Sequence, residues 1–484
     1  MLGVLLLIPL LAAFLCFSLR NRKAVEYVNF LGAVFLAVAS VPPIIDSLTS
    51  PRFFLDGLLY MDALSSYMMA IVVLISLVTA IYSVDYMGQE FEEGIIKLKD
   101  LRHYYALMHL FIFTMLLTTV SNNLAVFWIA IEGTTLVSAL LVGLYKNTQS
   151  IEAAWKYIIL CTVGITFALL GIFITYYAST SVIGGSGTLN WTELKDIAYK
   201  LNPSTMKLAF IFILVGYGAK AGLAPVHNWL PDAHSQAPTP ISALLSGILL
   251  KCSFIGIIRF IIIVNRATGD SYANGLMLFF GLLSMGIATA FILLQDNYKR
   301  LLAYHSIEHI GIVATGIGIG GFWGIYGSLF HILNHAVVKT LLFFTTGRVR
   351  LRYHTTKIEK VKGVITRMPV SGTIMLLAAL AIAGTPPFNI FLSEFIILKA
   401  AADAGQWTTL GLFLVFATII FGGVLHHFGS MAFGKSASGE NEKEGKPVSA
   451  VMVAMAAVML LCGLYIPPFL GNMLTSSVRI ILGV

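Results

Sequence analysis

Residues 218–260 read GAKAGLAPVHNWLPDAHSQAPTPISALLSG and then ILLKCSFIGIIRF. The segment joins two apolar runs, one passing through Lys220 to Ala224 and the other centred on Lys251. Between them stand Pro225, His227, Pro231 and Asp232. Proline removes a helix hydrogen bond and clashes with the preceding turn, so the first run must stop there. The remainder of the chain decides whether this is a surface loop or a break at membrane depth.

That remainder settles the solvent. Of 484 residues, 58% are hydrophobic and 11% are charged, and the mean hydropathy is +0.87. Soluble domains carry roughly 25% charged residues. So few charges cannot cover a water-facing surface, and lipid must surround most of the chain. The requirement of about 20 apolar residues per crossing gives fourteen expected spans. They lie near 2–19, 25–45, 58–82, 104–121, 122–144, 153–178, 206–224, 240–264, 273–294, 302–319, 322–346, 369–399, 407–432 and 448–468. The expected fold is all-α and polytopic. Only Ser121, Asn122 and Asn123 part the fourth span from the fifth, and only Gly320 and Gly321 part the tenth from the eleventh. The N-terminal run lacks a basic leader and reads as an uncleaved first helix. The polar stretch 433–447, with GKSASGENEKEGK, reads as hydrophilic and mobile.

The net charge of +8 is not a nucleic-acid signal. Arg348, Arg350, Arg352, Lys357, Lys360, Lys362 and Arg367 crowd one short loop, the pattern of a cytoplasmic membrane loop. With the N-terminus outside and crossings alternating, most Lys and Arg fall in inner loops, which predicts both termini outside the cell membrane. Cys16, Cys161, Cys252 and Cys462 are scattered through apolar segments, without zinc or iron–sulfur spacing. No metal, cofactor or redox centre is expected in this chain.

A second break lies at Gly384, Thr385, Pro386 and Pro387, within the twelfth span. Non-helical backbone at such depth survives only when shielded by protein or facing a water cavity. Two broken helices in corresponding halves point to a transport site between inverted repeats. The layout divides the chain into four parts. Residues 1–100 hold three helices and a cytoplasmic loop, 101–265 and 266–435 hold a five-helix unit each, and 436–484 hold a polar loop, the last helix and a tail.

Several spans retain ionisable groups, each costing roughly 2.5–3.5 kcal/mol at mid-bilayer. Glu132 is central in the fifth span, Lys220 adjoins the first break, and Lys251 is central in the eighth. His305, Glu308 and His309 cluster early in the tenth. His331, His335 and Lys339 repeat at i, i+4 and i+8 on the eleventh, and Glu394 follows the second break. Singly, each has a bland reading. Glu132 could be a structural buried acid, and Lys220 could snorkel. His331 and His335 could hold zinc, but no third ligand is evident nearby. His103, His109, His426 and His427 fall near expected helix ends and receive no role. Together the series reads as a hydrated proton relay. Burial favours the neutral form and an opposite charge the ionised form, so a Glu–Lys pair switches when a nearby charge moves. Histidine shuttles protons near neutral pH. No nucleophile elbow or phosphate loop supports a conventional enzyme.

These motifs are joined by YMDALSSYMM at 60–69, FWIAIEGTTL at 127–136, QDNYKRLLAYHSIEHIG at 295–311, SLFHILNHAVVKTLLFFTTG at 328–347 and GTPPFNIFLSEF at 384–395. In order, over about residues 55–435, they resemble the antiporter-like family. That family includes large membrane subunits of respiratory complex I, Mrp-type Na+/H+ antiporter subunits and membrane subunits of energy-converting hydrogenases. LLAYHSIEHIG is most similar to the hydrogenase-4 and formate hydrogenlyase branch. The resemblance implies a fourteen-helix core of two inverted five-helix units, with Glu132 paired to Lys220 and Lys251 as the central lysine. It implies that His331, His335 and Lys339 carry protons along the midplane beside His305, Glu308 and His309, and that Glu394 is the terminal group. It implies movement of H+, or of H+ against Na+, in a multi-subunit redox complex. Fe–S clusters and NiFe or quinone sites would then belong to partner membrane and peripheral subunits. His305 and Glu308 depart from the serines and glutamine of many complex I members, and the chain is expected to end soon after the fourteenth helix. The alternative is a subunit of a non-redox Mrp-type antiporter. A passive anchor would have no use for buried Lys220, Lys251 and Glu394.

Overall fold

The computed structural model describes residues 2–269, 271–434 and 444–484, so most of the polar stretch expected to be mobile lies outside the described residues. The chain is almost wholly helical. The first six long helices are α1 (Leu2–Ser18), α2 (Arg22–Thr49), α3 (Ala63–Glu92), α4 (Leu98–Val120), α5 (Leu124–Val142) and α6 (Thr148–Ile183). Next come α7 (Pro203–Ala221), α8 (Thr239–Thr268), α9 (Tyr272–Leu293), α10 (Tyr298–Ile319) and α11 (Gly321–Tyr353). The expected twelfth span is two short helices, α12 (Pro369–Ile382) and α13 (Asn389–Asp403). The last three are α14 (Trp407–Ala432), α15 (Lys446–Leu464) and α16 (Pro468–Leu482).

Among the described residues, eleven helices are long and apolar enough to cross a membrane. Three expected spans are not among them. Helix α1 has only 17 residues, α10 is made polar by Lys299, Arg300, Glu308 and two histidines, and the twelfth span is divided. The soft boundary between α4 and α5 is real. Asn123 caps α5 through Ala125 N and Val126 N, while Asn122 donates to Gly57 O at 2.8 Å. Those bonds tie the boundary to a small antiparallel hairpin, Arg52–Phe54 with Leu59–Met61, a departure from the all-helical expectation.

Other expectations are corrected. The tail after the last span is helical, with Met473, Leu474, Ser477, Val478 and Ile481 buried along one face of α16. Its 15 residues are too few for the crossing rule, which is why the hydropathy pattern passes over it. His109 is not near a helix end. Helix α4 starts at Leu98, before its apolar run, and leaves His109 buried at mid-helix. Part of the basic loop is also helix. Arg348 and Arg350 lie in the last turns of α11 and pair with Asp85 and Glu90 of α3, each at 2.6 Å.

Hydropathy does not reveal which helices face lipid. Helices α6 and α8 carry comparably apolar stretches, yet 39% of the first and 94% of the second is buried. Helices α8 and α11 form the centre of the bundle, and Tyr67 and Tyr82 of α3 pin α11 by donating to Leu329 O (2.5 Å) and Phe344 O (2.8 Å). Helices α6 and α7 approach so closely at Gly171 that a Cβ there would meet Ala209 O at 2.8 Å. Small residues permit this packing, which replaces the hydrophobic drive that lipid cannot supply.

Candidate functional site

Both expected breaks exist, and they are built alike. Helix α7 ends at Gly222 in the left-handed region (φ 85°), where Leu223 N returns to Gly218 O at 2.9 Å. Helix α12 ends before Gly384 (φ 73°), where Thr385 N returns to Leu380 O at 3.2 Å. This six-to-one closure satisfies carbonyls that a helix end orphans, and glycine enters the conformation without a Cβ clash. Neighbouring groups add hydrogen bonds at both breaks. Trp229 Nε1 donates to Ala219 O at 2.8 Å, and Ser284 Oγ accepts from Ala224 N at 3.0 Å. At the second break Asn334 Nδ2 donates to Asn389 O at 2.8 Å and Asn389 Nδ2 returns to Asn334 Oδ1 at 3.1 Å.

The first break holds Lys220 fully buried. Its ammonium donates to Thr135 Oγ1 at 2.8 Å and to Tyr157 OH at 2.5 Å. Glu132 is half-buried and accepts from Thr162 Oγ1 at 2.8 Å and from Thr135 Oγ1 at 3.4 Å. The expected pair is therefore bridged rather than direct. Thr135 lies three residues beyond Glu132 on α5 and is hydrogen-bonded to both charged groups. Its one hydroxyl can accept from the lysine while donating to the acid.

Lys251 sits just after a π-helical turn, Leu245–Leu249, inside α8. Such turns occur mostly as single bulges, frequently at functional sites. The Lys251 ammonium donates to Ser246 O at 2.5 Å and meets His335 Nδ1 at 2.6 Å. Among the described residues no direct hydrogen bond joins Lys251 to Lys220.

From His335 the row continues through imidazoles. The His335 and His309 rings are 4.8 Å apart, and His309 Nδ1 lies 2.8 Å from His331 Nε2. His331 Nδ1 lies 3.0 Å from Ser393 Oγ, and Glu394 follows on α13. His305 stacks on His309 at 5.6 Å, and its Nδ1 is 2.8 Å from Glu308 Oε2 at an angle too poor for a hydrogen bond. Lys339 donates to Leu302 O at 2.6 Å. Lys251, His305, Glu308, His309, His331, His335, Lys339 and Glu394 are all buried. Both His305 nitrogens, Glu308 Oε2, His309 Nε2 and His335 Nε2 have no hydrogen-bond partner among the described residues. A buried polar atom without a partner costs about 1–3 kcal/mol, and the His305–Glu308 contact at 2.8 Å offsets part of that cost.

No metal is expected from the sequence, and the zinc pair weighed there, His331 and His335, does not converge. His335 is turned to Lys251. Potential ligand atoms converge instead in His305, Glu308 and His309, and in His309, His331 and Glu394, within 4.8 Å of one another in each group.

A sequence profile described as "NADH:quinone oxidoreductase/Mrp antiporter, TM" matches residues 121–420, and one described as "NADH-Ubiquinone oxidoreductase (complex I), chain 5 N-terminus" matches 48–94. The chain belongs to the NADH:quinone oxidoreductase/Mrp antiporter family. Within this antiporter family, it is 36% identical to a "Hydrogenase-4 component F homolog" of Methylacidiphilum infernorum over 92% of this chain and 90% of that one. It is 31% identical to "Hydrogenase-4 component B" of Escherichia coli over 71% of this chain and 51% of that one. Among solved structures, it resembles a chain of the membrane-bound sulfane sulfur reductase, an archaeal respiratory membrane complex. The TM-score is 0.89 at 25% identity, covering 99% of this chain and 97% of that one. A chain of the Mrp complex from Dietzia sp. DQ12-45-1b shares the fold, with a TM-score of 0.87 at 20% identity and the same coverages.

Sequence reading misses several residues that adjoin these groups. Thr135 and Tyr157 carry no charge, and only the three-residue step from Glu132 marks Thr135. Lys299 falls outside the expected tenth span, but α10 begins at Tyr298 and buries it, with its ammonium on Ala237 O at 2.6 Å. It lines a cavity of about 890 Å³ with Glu90, Tyr145, Lys156, Asp232 and Arg350. His234, between the first break and α8, is fully buried with neither ring nitrogen partnered among the described residues.

Proposed function

We propose that this chain is the proton-translocating, or Na+/H+-translocating, membrane subunit of an energy-converting redox complex. The observation that carries the reading is the series of titratable groups inside the bundle, from half-buried Glu132 and buried Lys220 to the buried row Lys251, His335, His309, His331 and Glu394. A bundle needs no such row for stability, since each buried charge must be compensated. In this reading Glu132, Thr135 and Lys220 take up a proton. Lys251 passes it to His335, and His309 and His331 hand it on with Lys339, His305 and Glu308 setting the local charge. Glu394 is the terminal group. The two breaks, each closing on a left-handed glycine, support two five-helix halves at 101–265 and 266–435. Redox chemistry, with Fe–S clusters and NiFe or quinone, belongs to partner subunits, and the chain lies in the cell membrane with both termini outside. Hydrogenase-4 relatives favour a redox assembly over a purely antiporting one, and copurification of Fe–S or NiFe subunits separates the two.

Glu132→Gln tests the reading in the intact complex. It should abolish redox-driven proton pumping in inverted vesicles while the complex still assembles. Normal pumping by that variant refutes the role.

A further inference from the structure

We infer that His309, His331 and Glu394 form a binding site for a zinc-class divalent cation that ties three helices together and stops the relay. The binding claim stands on geometry alone, and only the arrest of pumping rests on the function proposed above.

The three residues come from α10, α11 and α13, and one donor atom from each lies within 4.8 Å of the others. Two imidazoles and a carboxylate, with a fourth position left open, are a donor set that suits zinc and is poor for Na+ or Mg2+. His331 is already aimed. Its Nε2 points at His309, while its Nδ1 is held by Ser393 Oγ at 3.0 Å. A histidine ligand has its other ring nitrogen fixed in this way by an outer partner. The His309 and His331 nitrogens are 2.8 Å apart, sharing one proton. Two nitrogens on one tetrahedral zinc sit about 3.3 Å apart, given bonds of about 2.0–2.1 Å. Binding therefore needs that proton to leave and the rings to part by about half an ångström.

Two carboxylates and two ammoniums surround this spot. Glu394 supplies one carboxylate, and Glu308 lies one residue before His309 in the neighbouring group of potential ligands. The opposing cations are Lys251, beyond the His335 ring, and Lys339, whose ammonium is turned to Leu302 O. Glu394 is the least buried ligand at 9% exposed, and Gly384 adjoins its carboxylate while Pro386 and Pro387 are exposed.

The test uses the Strep-tagged full chain in its native complex, stripped of metal and loaded with zinc chloride. Equilibrium binding of radioactive zinc should show one tight site on this chain, weakened at least tenfold by His331→Gln and by Glu394→Gln. Ser393→Ala should weaken it about tenfold through orientation alone. X-ray absorption at the zinc edge of the unmodified complex needs no variant and should show imidazole and oxygen ligands without sulfur. No retained zinc, sulfur ligation, or binding indifferent to both ligand variants overturns the site. If zinc binds as described while pumping continues at full occupancy, the site stands and the arrest is refuted.

Discussion

Replacing Thr135 with valine removes one hydroxyl and almost no volume. That hydroxyl accepts from Lys220 at 2.8 Å and lies 3.4 Å from Glu132, so it is the link between the two charges of the first break. Lys220 keeps Tyr157 and so stays oriented. A hydrogen bond to a charged group contributes about 1.5–3 kcal/mol. If transfer between acid and lysine uses that bond in its rate-limiting arrangement, the loss slows pumping by roughly 10- to 150-fold. The assay is redox-driven acidification of inverted vesicles, with electron transfer and complex assembly measured in the same preparation. Thr135→Val should pump poorly in an assembled complex, and Thr135→Ser should recover most of the rate. Pumping by Thr135→Val within about twofold of the unmodified protein would refute the bridged arrangement, as would a serine variant no better than valine.

Other expectations follow from the same geometry. Lys251→Met replaces a buried ammonium by an apolar chain of similar length. Thermal unfolding should be unchanged or shifted upward, because desolvation of the charge is removed, while vesicle acidification is lost. Gly384→Ala should lower the thermal midpoint, since a left-handed alanine costs about 1–2 kcal/mol and its Cβ would run into the Glu394 carboxylate; an unchanged midpoint contradicts this. Asp62→Asn keeps the cap on Ser65 N but removes the charge and one acceptor from Arg259, which makes a two-bonded pair with Asp62 at 2.6 and 2.8 Å and also donates to Ser65 Oγ. Denaturation in detergent should show a loss of about 3–5 kcal/mol, partly recovered on adding Arg259→Met.

Apolar length, proline and glycine act locally, so the solvent, the approximate helices and the two breaks were legible in the order of residues alone. So was the ionisable series, since a charge in an apolar run is visible without knowing its neighbours. Which of those groups meet was not legible, because the contacts join helices distant along the chain. Glu132 and Lys220 needed Thr135 between them, His335 turned to Lys251, and His309 met His331 and Glu394 across three helices. Nor could hydropathy separate the buried α8 from the largely exposed α6. Apolar side chains leave water as readily for lipid as for protein, so only the packing of helix on helix decides which face is which.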